Sequence, residues 1–173
     1  MHSDKEDFIF GIKRAIPIIL GYIPVGFALG VMAAGAGLSP LQMALMSIFV
    51  YAGSAQFIAI DMLSSGTNAV PIIITTFLVN LRHFLFSASL APYFRKIKQN
   101  FIPIISFFIT DESFAVSITD AEQRALCHTY YLGFYVTAYL SWVLSTFIGA
   151  TLGSLIPDTK ALGFDFALPG MFL

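Results

Sequence analysis

The stretch 69-AVPIIITTFLVNLRHFLFSASLAPY-93 is an apolar run of membrane length with one arginine near its middle. About twenty apolar residues cross the hydrocarbon core of a bilayer as a helix, so Arg82 is predicted near the midplane. A charge at that depth is costly without a partner, and one that is kept there usually serves function. Asp111 and Glu112 lie near the centre of the next apolar run, 101–119, and are the predicted partners. The alternatives are a purely structural ion pair, or a location nearer the interface that the long arginine side chain can reach.

The composition places the chain among membrane proteins. Of its 173 residues, 57% are hydrophobic and 11% are charged, and 18 are phenylalanine. The mean hydropathy of +0.82 is far above that of soluble domains. We therefore predict an all-α, polytopic transmembrane helix bundle. The net charge is −1 and there is no basic cluster beyond Arg95, Lys96 and Lys98, which argues against nucleic-acid binding. One cysteine and three scattered histidines predict neither a metal site nor another cofactor.

The N-terminal part is predicted to divide into an interfacial segment and a membrane segment. Residues 1–14 are polar and then mixed, without the pattern of a signal peptide, and are predicted to be cytoplasmic or interfacial. Residues 15–173 are predicted to form the transmembrane domain, with about five apolar segments and the start of another. Prolines and glycines interrupt the first segment, 15–37, which predicts a kinked or broken helix. In this segment, Gly26 and Gly30 have the GxxxG spacing, which recurs at Gly149 and Gly153. This spacing is typical of close helix packing.

The second segment, 41–63, begins with the helix-start pattern Ser39-Pro40 and loses its large apolar residues in the middle. Gly53, Ser54 and Gln56 there favour either a packing face or an unwound binding element. The membrane topology has a conflict, because three crossings from a cytoplasmic N-terminus would place the basic cluster 95–98 outside. A re-entrant hairpin bent at Gly53-Ser54 removes the conflict; a full span and an external N-terminus are the alternatives.

The remaining segments complete the predicted bundle. The fourth, 101–119, is followed by a predicted polar loop, 120–128, and the fifth runs over 129–156. A further apolar stretch, 164–173, contains Asp165 and Pro169, and the sequence stops within it with no polar residues after it, which predicts a chain truncated at its C-terminus.

The polar residues at membrane depth are candidates for binding and for proton transfer. Asp111 and Glu112 are adjacent and point about 100° apart on a helix, so they cannot both face Arg82. One would pair, while the other would hold a proton in the low dielectric and serve as a relay. His83 would join that relay or would only pack, and Asn80, like Ser54 and Gln56, would bond a ligand or a neighbouring helix. His83 and Ser87 share a helix face, but the weakness of that signal predicts no enzyme.

Seven motifs together resemble the AzlC family, in order and in spacing. They are Pro24-Val-Gly-Phe-Ala-Leu-Gly30, Ala36-Gly-Leu-Ser-Pro40, Ala52-Gly-Ser-Ala-Gln-Phe57, Asn80-Leu-Arg-His83, Ser89-Leu-Ala-Pro92, Thr110-Asp-Glu-Ser-Phe114 and Leu162-Gly-Phe-Asp-Phe166. The resemblance implies the large subunit of a bacterial branched-chain amino acid exporter in the inner membrane. It also implies a small, hydrophobic AzlD-type partner subunit, and membrane lipid around both.

The resemblance implies that the substrates are valine, leucine and isoleucine, with methionine as a further candidate. A zwitterion needs a cation or a helix N-terminus for its carboxylate, an acceptor for its ammonium group, and an apolar pocket for its side chain. The substrate-binding candidates are Arg82, Asn80, Gly53, Ser54, Gln56 and Asp111. The proton-coupling candidates are Glu112 and His83, and the candidates for the apolar pocket are Phe57, Leu78 and Phe114. A passive channel, or a scaffold subunit whose charged cluster is structural, is the alternative function.

Overall fold

The computed structural model describes residues 4–123 and 126–155, and all of the regular structure in these residues is helical. Two short 3₁₀ helices, Tyr93–Lys96 and Gln99–Phe101, accompany seven α-helices within the described part of the chain. The α-helices are α1 (Asp4–Gly35), α2 (Pro40–Phe49), α3 (Gly53–Ser64), α4 (Ala69–Leu90), α5 (Ile102–Phe107), α6 (Asp111–Gln123) and α7 (His128–Gly153). The all-α prediction is confirmed.

Three of these helices, α1, α4 and α7, are long and apolar enough to cross a bilayer. They have 32, 22 and 26 residues, against the roughly twenty that a crossing needs. Of the two predicted forms of the first segment, kinked or broken, the broken one is wrong, because α1 runs without interruption from Asp4 to Gly35 through both of its prolines. α1 packs closely against α7 at several glycines. The division at residue 14 stays a prediction.

The second predicted segment is two helices, and its break lies earlier than predicted. α2 ends at Phe49 and α3 begins at Gly53, so Gly53 and Ser54 belong to the first turn of α3 rather than to the bend. Non-helical backbone at Ala52 separates the two helices (φ −151°, ψ 86°). The predicted N-cap is confirmed, since the Ser39 hydroxyl accepts from the Gln42 backbone N–H and Pro40 opens the helix. With 10 and 12 residues, α2 and α3 are about 15 and 18 Å long, and each is too short to cross alone.

The fourth predicted segment, 101–119, is also divided into two helices, by a break that the sequence analysis did not locate. α5 ends at Phe107 and α6 begins at Asp111. Thr110 and Ser113 cap the new helix reciprocally: the Ser113 backbone N–H donates to the Thr110 hydroxyl (3.3 Å), and the Thr110 N–H donates to Ser113 Oγ (2.7 Å). Asp111 and Glu112 therefore lie in the first turn of a helix, where the helix dipole favours acidic groups.

The described residues form two compact units. The first takes in the chain up to Leu20 together with Leu81–Leu140, and the second takes in Gly21–Asn80 together with the chain from Ser141. Each unit contains part of α1, α4 and α7 and one pair of short helices, α5 and α6 in the first unit and α2 and α3 in the second.

Glycines bring α1 and α7 into close contact within each unit, and the GxxxG spacing predicts this contact in the second unit. In the second unit, a Cβ on Gly30 would overlap the Thr146 carbonyl oxygen, and one on Gly149 would overlap the Phe27 carbonyl oxygen. In the first unit, a Cβ on Gly11 would collide with the backbone of α7 at Tyr130. Such contacts require glycine because the neighbouring atoms are backbone and cannot turn away.

The predicted apolar stretch 164–173 lies outside the described residues. The fifth segment agrees closely with α7, which runs from His128 to Gly153. The predicted polar loop 120–128 begins too early, because α6 continues through Asp120 to Gln123.

Candidate functional site

The first unit brings Arg82 of α4 and Asp111 of α6 together, as the sequence predicts. Arg82 Nη2 lies 2.9 Å from Asp111 Oδ2. The two side chains are 23% and 37% exposed, so the pair is only half-buried. Asp111 reaches it from the N-terminal turn of α6, directly after the break that separates α5 from α6. Neither charge is therefore fully enclosed by the described residues.

An aromatic pair connects the same two helices one turn further along each of them. The rings of Phe86 and Phe114 stack with centroids 4.6 Å apart and planes inclined by 16°. Phe86 is four residues after Arg82, and Phe114 is three residues after Asp111, so each ring shares a helix face with one charge. The His83 and Phe86 rings pack edge to face, with centroids 5.8 Å apart. A cation, an anion and an apolar aromatic surface are thus combined between α4 and α6.

The predicted apolar pocket is placed only in part. Phe114 belongs to this aromatic pair, but Phe57 is fully buried in the second unit and Leu78 is 57% exposed on α4. Sequence reasoning missed Phe86. The signal was available, because Phe86 follows Arg82 by one helical turn in a helix that was correctly predicted.

The two proton-coupling candidates lie beside this pair. Glu112 follows Asp111 on α6, about 100° further around the helix, and is half-buried. His83 follows Arg82 on α4 and is also half-buried. Asp111 is an acid in contact with the arginine, and Glu112 occupies the next position in the same helical turn.

The remaining candidates belong to the second unit. Asn80 lies half-buried on α4, and Gly53 and Ser54 open α3, with Ser54 only 1% exposed. The Ala52 side chain makes no capping hydrogen bond to α3, as expected of a residue without a polar group. The structure therefore distributes the eight predicted site residues over both units, four in each.

Gln56 is fully buried and bonded on both sides of its amide. Trp142 Nε1 donates to Gln56 Oε1 at 2.9 Å, and Gln56 Nε2 donates to Ser47 Oγ at 3.0 Å. Ser47 Oγ lies 2.8 Å from Thr146 Oγ1, which donates to the Val143 carbonyl at 3.0 Å. This chain of hydrogen bonds, the Gln56 network, ties α2, α3 and α7 together. Its geometry matches the neighbouring-helix alternative for Gln56.

A second ion pair in the first unit was missed by sequence reasoning. Asp120 is 2% exposed and accepts from Arg14 Nε at 2.8 Å and Arg14 Nη2 at 2.6 Å. The Tyr130 hydroxyl donates to the same carboxylate at 2.5 Å. The sequence pattern hid this Arg14–Asp120–Tyr130 cluster, because Asp120 begins a run of polar residues typical of a loop. The signal that remained was an arginine at the start of an apolar segment, which needs a partner once the helix packs.

Comparison with protein families identifies a close match. The family model described as AzlC protein matches residues 17–156. The inner membrane protein YgaZ of Escherichia coli is 32% identical over 96% of this chain and 70% of its own length. An uncharacterized membrane protein of Archaeoglobus fulgidus is 37% identical over the whole chain and 77% of its own length. The branched-chain amino acid transport protein AzlC of Bacillus subtilis is 29% identical over 99% of the chain and 69% of its own length. No solved structure matches.

These relatives confirm the predicted membrane location. YgaZ is an inner membrane protein, and the described residues contain three helices able to cross a bilayer. The predicted multi-pass protein of the inner membrane agrees with both observations.

Proposed function

Because the chain belongs to the AzlC family of membrane transport proteins, which are related to branched-chain amino acid transport and typically not enzymes, we propose that it exports branched-chain amino acids. The proposed substrates are valine, leucine and isoleucine, with methionine as a further candidate. The proposed partner is a small, hydrophobic AzlD-type subunit.

The observation that carries this proposal is the half-exposed Arg82–Asp111 pair beside the Phe86–Phe114 stack. A zwitterionic amino acid carries the same two charges as the ion pair. The substrate carboxylate binds Arg82 and the substrate ammonium group binds Asp111. Each of the two side chains thus exchanges its partner in the ion pair for a substrate group of the same charge. This exchange avoids leaving a charge unpaired at low dielectric, which would be costly. The aliphatic side chain is then placed against the aromatic rings, which accept apolar groups of varied shape.

Coupling to the proton gradient is assigned to Glu112 and His83 in this proposal. A change of charge at either residue, next to the pair that holds the substrate, would alter the affinity for the substrate and so couple the two movements. For the second unit by itself, we propose that Gly53 and Ser54 at the α3 N-terminus, and Asn80, offer polar contacts to the substrate. We assign Gln56 to packing, since its amide is bonded to Trp142 and Ser47.

The proposed topology keeps α2 and α3 as a re-entrant pair. α1 and α4 then make the two crossings that return the basic cluster 95–98 to the side of the N-terminus, as the positive-inside rule requires. The lengths of α2 and α3 support this arrangement, because neither crosses the hydrocarbon core alone.

The test is efflux from cells that express the chain with an AzlD-type subunit and are loaded with labelled valine or leucine. Arg82→Ala and Asp111→Asn are compared with the wild type at matched membrane abundance. Asp61→Asn, at an exposed acid in α3, is the matched control. Loss of efflux in both site variants, with the control active, supports the site. Undiminished efflux in both variants rejects it.

Two further measurements separate the alternative functions. Saturable counterflow of labelled valine indicates a carrier, whereas efflux that rises linearly with concentration indicates a channel. The exchange of charges in Arg82→Asp/Asp111→Arg separates a scaffold from a binding site. A scaffold regains assembly and transport together, whereas a binding site regains assembly alone.

A further inference from the structure

The Arg14–Asp120–Tyr130 cluster lies at the opposite end of α6 from the Arg82–Asp111 pair. Both belong to the first unit. Asp111 and Asp120 are nine positions apart on one helix, which corresponds to about 14 Å along its axis. α6 therefore carries an ion pair near each of its ends.

The two ion pairs differ in the burial of the carboxylate and in the number of hydrogen bonds that it accepts. Asp120 accepts three hydrogen bonds, two of them from the Arg14 guanidinium and one from Tyr130, and its side chain is 3% exposed. Two-pronged arginine–carboxylate contacts of this kind are strong and fix the geometry of both groups. The Asp111 carboxylate, by contrast, is 37% exposed and lies beside irregular backbone. The C-terminal end of α6 is thus the anchored end.

The buried face of α6 connects the Arg14–Asp120–Tyr130 cluster to the N-terminal turn that carries Asp111. Ser113, Ser117 and Asp120 are its buried residues, and they follow one another at the spacing of a single helix face. Ser117 Oγ contacts the Tyr135 hydroxyl at 2.9 Å. Asp111 projects from roughly the opposite side of the helix, since nine positions amount to about two and a half turns. A shift of α6 by one residue would turn Asp111 by about 100° and move it about 1.5 Å along the axis.

We propose that Arg14, Asp120 and Tyr130 are positioning residues, which hold α6 in rotation and along its axis so that Asp111 stands opposite Arg82. The role in transport rests on the proposed function, but the positioning itself does not. The proposal requires the geometry at Arg82 and Asp111 to change when the cluster is weakened. A cluster that only stabilises the fold would leave that geometry unchanged in the folded protein.

The first experiment measures this geometry without substrate. Cys127 is the one cysteine of the chain, so Cys127→Ser gives a background in which cysteines are introduced at positions 82 and 111. Cross-linking of this pair by a short bifunctional methanethiosulfonate is compared with and without Asp120→Asn. Ser117→Ala is the matched control, because it removes a buried hydrogen bond from the same helix face without touching Asp120.

We expect Asp120→Asn to lower the cross-linking yield about threefold or more, because a rotation of about 100° separates the two positions, and Ser117→Ala to leave the yield unchanged. An unchanged yield in Asp120→Asn overturns the proposal. If Asp120→Asn does not reach the membrane, Tyr130→Phe is used in its place, since it removes only one of the three donors. A lower cross-linking yield in Tyr130→Phe then supports the proposal, and an unchanged yield overturns it.

The second experiment measures the KM for valine efflux in the natural sequence with the cluster variants alone. Misplacing a binding group by about 1 Å has large kinetic effects, so we expect KM to rise about fivefold or more in Asp120→Asn, with the maximal rate per molecule largely kept. A lower cross-linking yield with an unchanged KM leaves positioning in place and rejects Arg82–Asp111 as the substrate site. A lower rate with unchanged KM and yield means that the cluster only stabilises the fold, and overturns the proposal.

Discussion

Replacement of Gln56 by leucine tests whether this residue packs the second unit or binds substrate. Leucine matches glutamine closely in size but removes both polar groups of the amide. Trp142 Nε1 then loses its acceptor in a place where the indole is 2% exposed, while Ser47 keeps its contact with Thr146. The substitution therefore leaves one buried donor unsatisfied and removes one further hydrogen bond.

The expected cost follows from these two losses. A buried donor without an acceptor costs about 1–3 kcal/mol, and a further lost hydrogen bond costs about 0.5–1.5 kcal/mol. We therefore expect the free energy of unfolding to fall by about 2–4 kcal/mol. For a domain of this size, such a loss lowers the midpoint of thermal unfolding by roughly 5–15 °C.

The assay heats the purified protein in detergent and measures the folded fraction at each temperature by size-exclusion chromatography with fluorescence detection. Gln99→Leu, at an exposed glutamine, is the control and is expected to change the midpoint little. The double variant Gln56→Leu/Trp142→Phe should lose less free energy of unfolding than the two single variants combined, because Trp142→Phe removes the donor that Gln56→Leu leaves unsatisfied. An unchanged midpoint in Gln56→Leu, together with a raised KM for valine, would refute the packing role and restore Gln56 as a binding residue.

Two further predictions test the helix packing and the apolar part of the site. Gly30→Ala should lower stability by about 1–3 kcal/mol, because the new methyl group meets the backbone of α7 at Thr146. Gly21→Ala in the same helix has no atom within 4 Å of the new Cβ and should be neutral or stabilising; equal midpoints for the two variants would contradict this close packing. Phe86→Ala should raise the KM for leucine about fivefold, because it removes one ring of the proposed apolar surface. Phe84→Ala, at a side chain that is 76% exposed on the same helix, should leave KM unchanged, and an equal effect of both would count against the proposed surface.

The sequence by itself determined the class of the protein and its long helices. Membrane-length apolar runs predict α4 and α7 closely, since the hydrophobic thickness of a bilayer fixes the length of a crossing. The GxxxG spacings also predicted close helix packing, because only a missing side chain lets two backbones approach. The pairing of Arg82 with Asp111 followed from the cost of an isolated charge.

Only the tertiary structure decided where helices break and which polar residues are buried. α1 passes through two prolines, because packing outweighs the local loss of hydrogen bonds. The break before Asp111 is fixed by the reciprocal cap of Thr110 and Ser113, which an apolar run conceals. Asp120 resembled a loop residue because its partners, Arg14 and Tyr130, meet it only in the folded chain. Hydropathy measures the preference of each residue alone, whereas burial of a charge depends on partners distant in sequence.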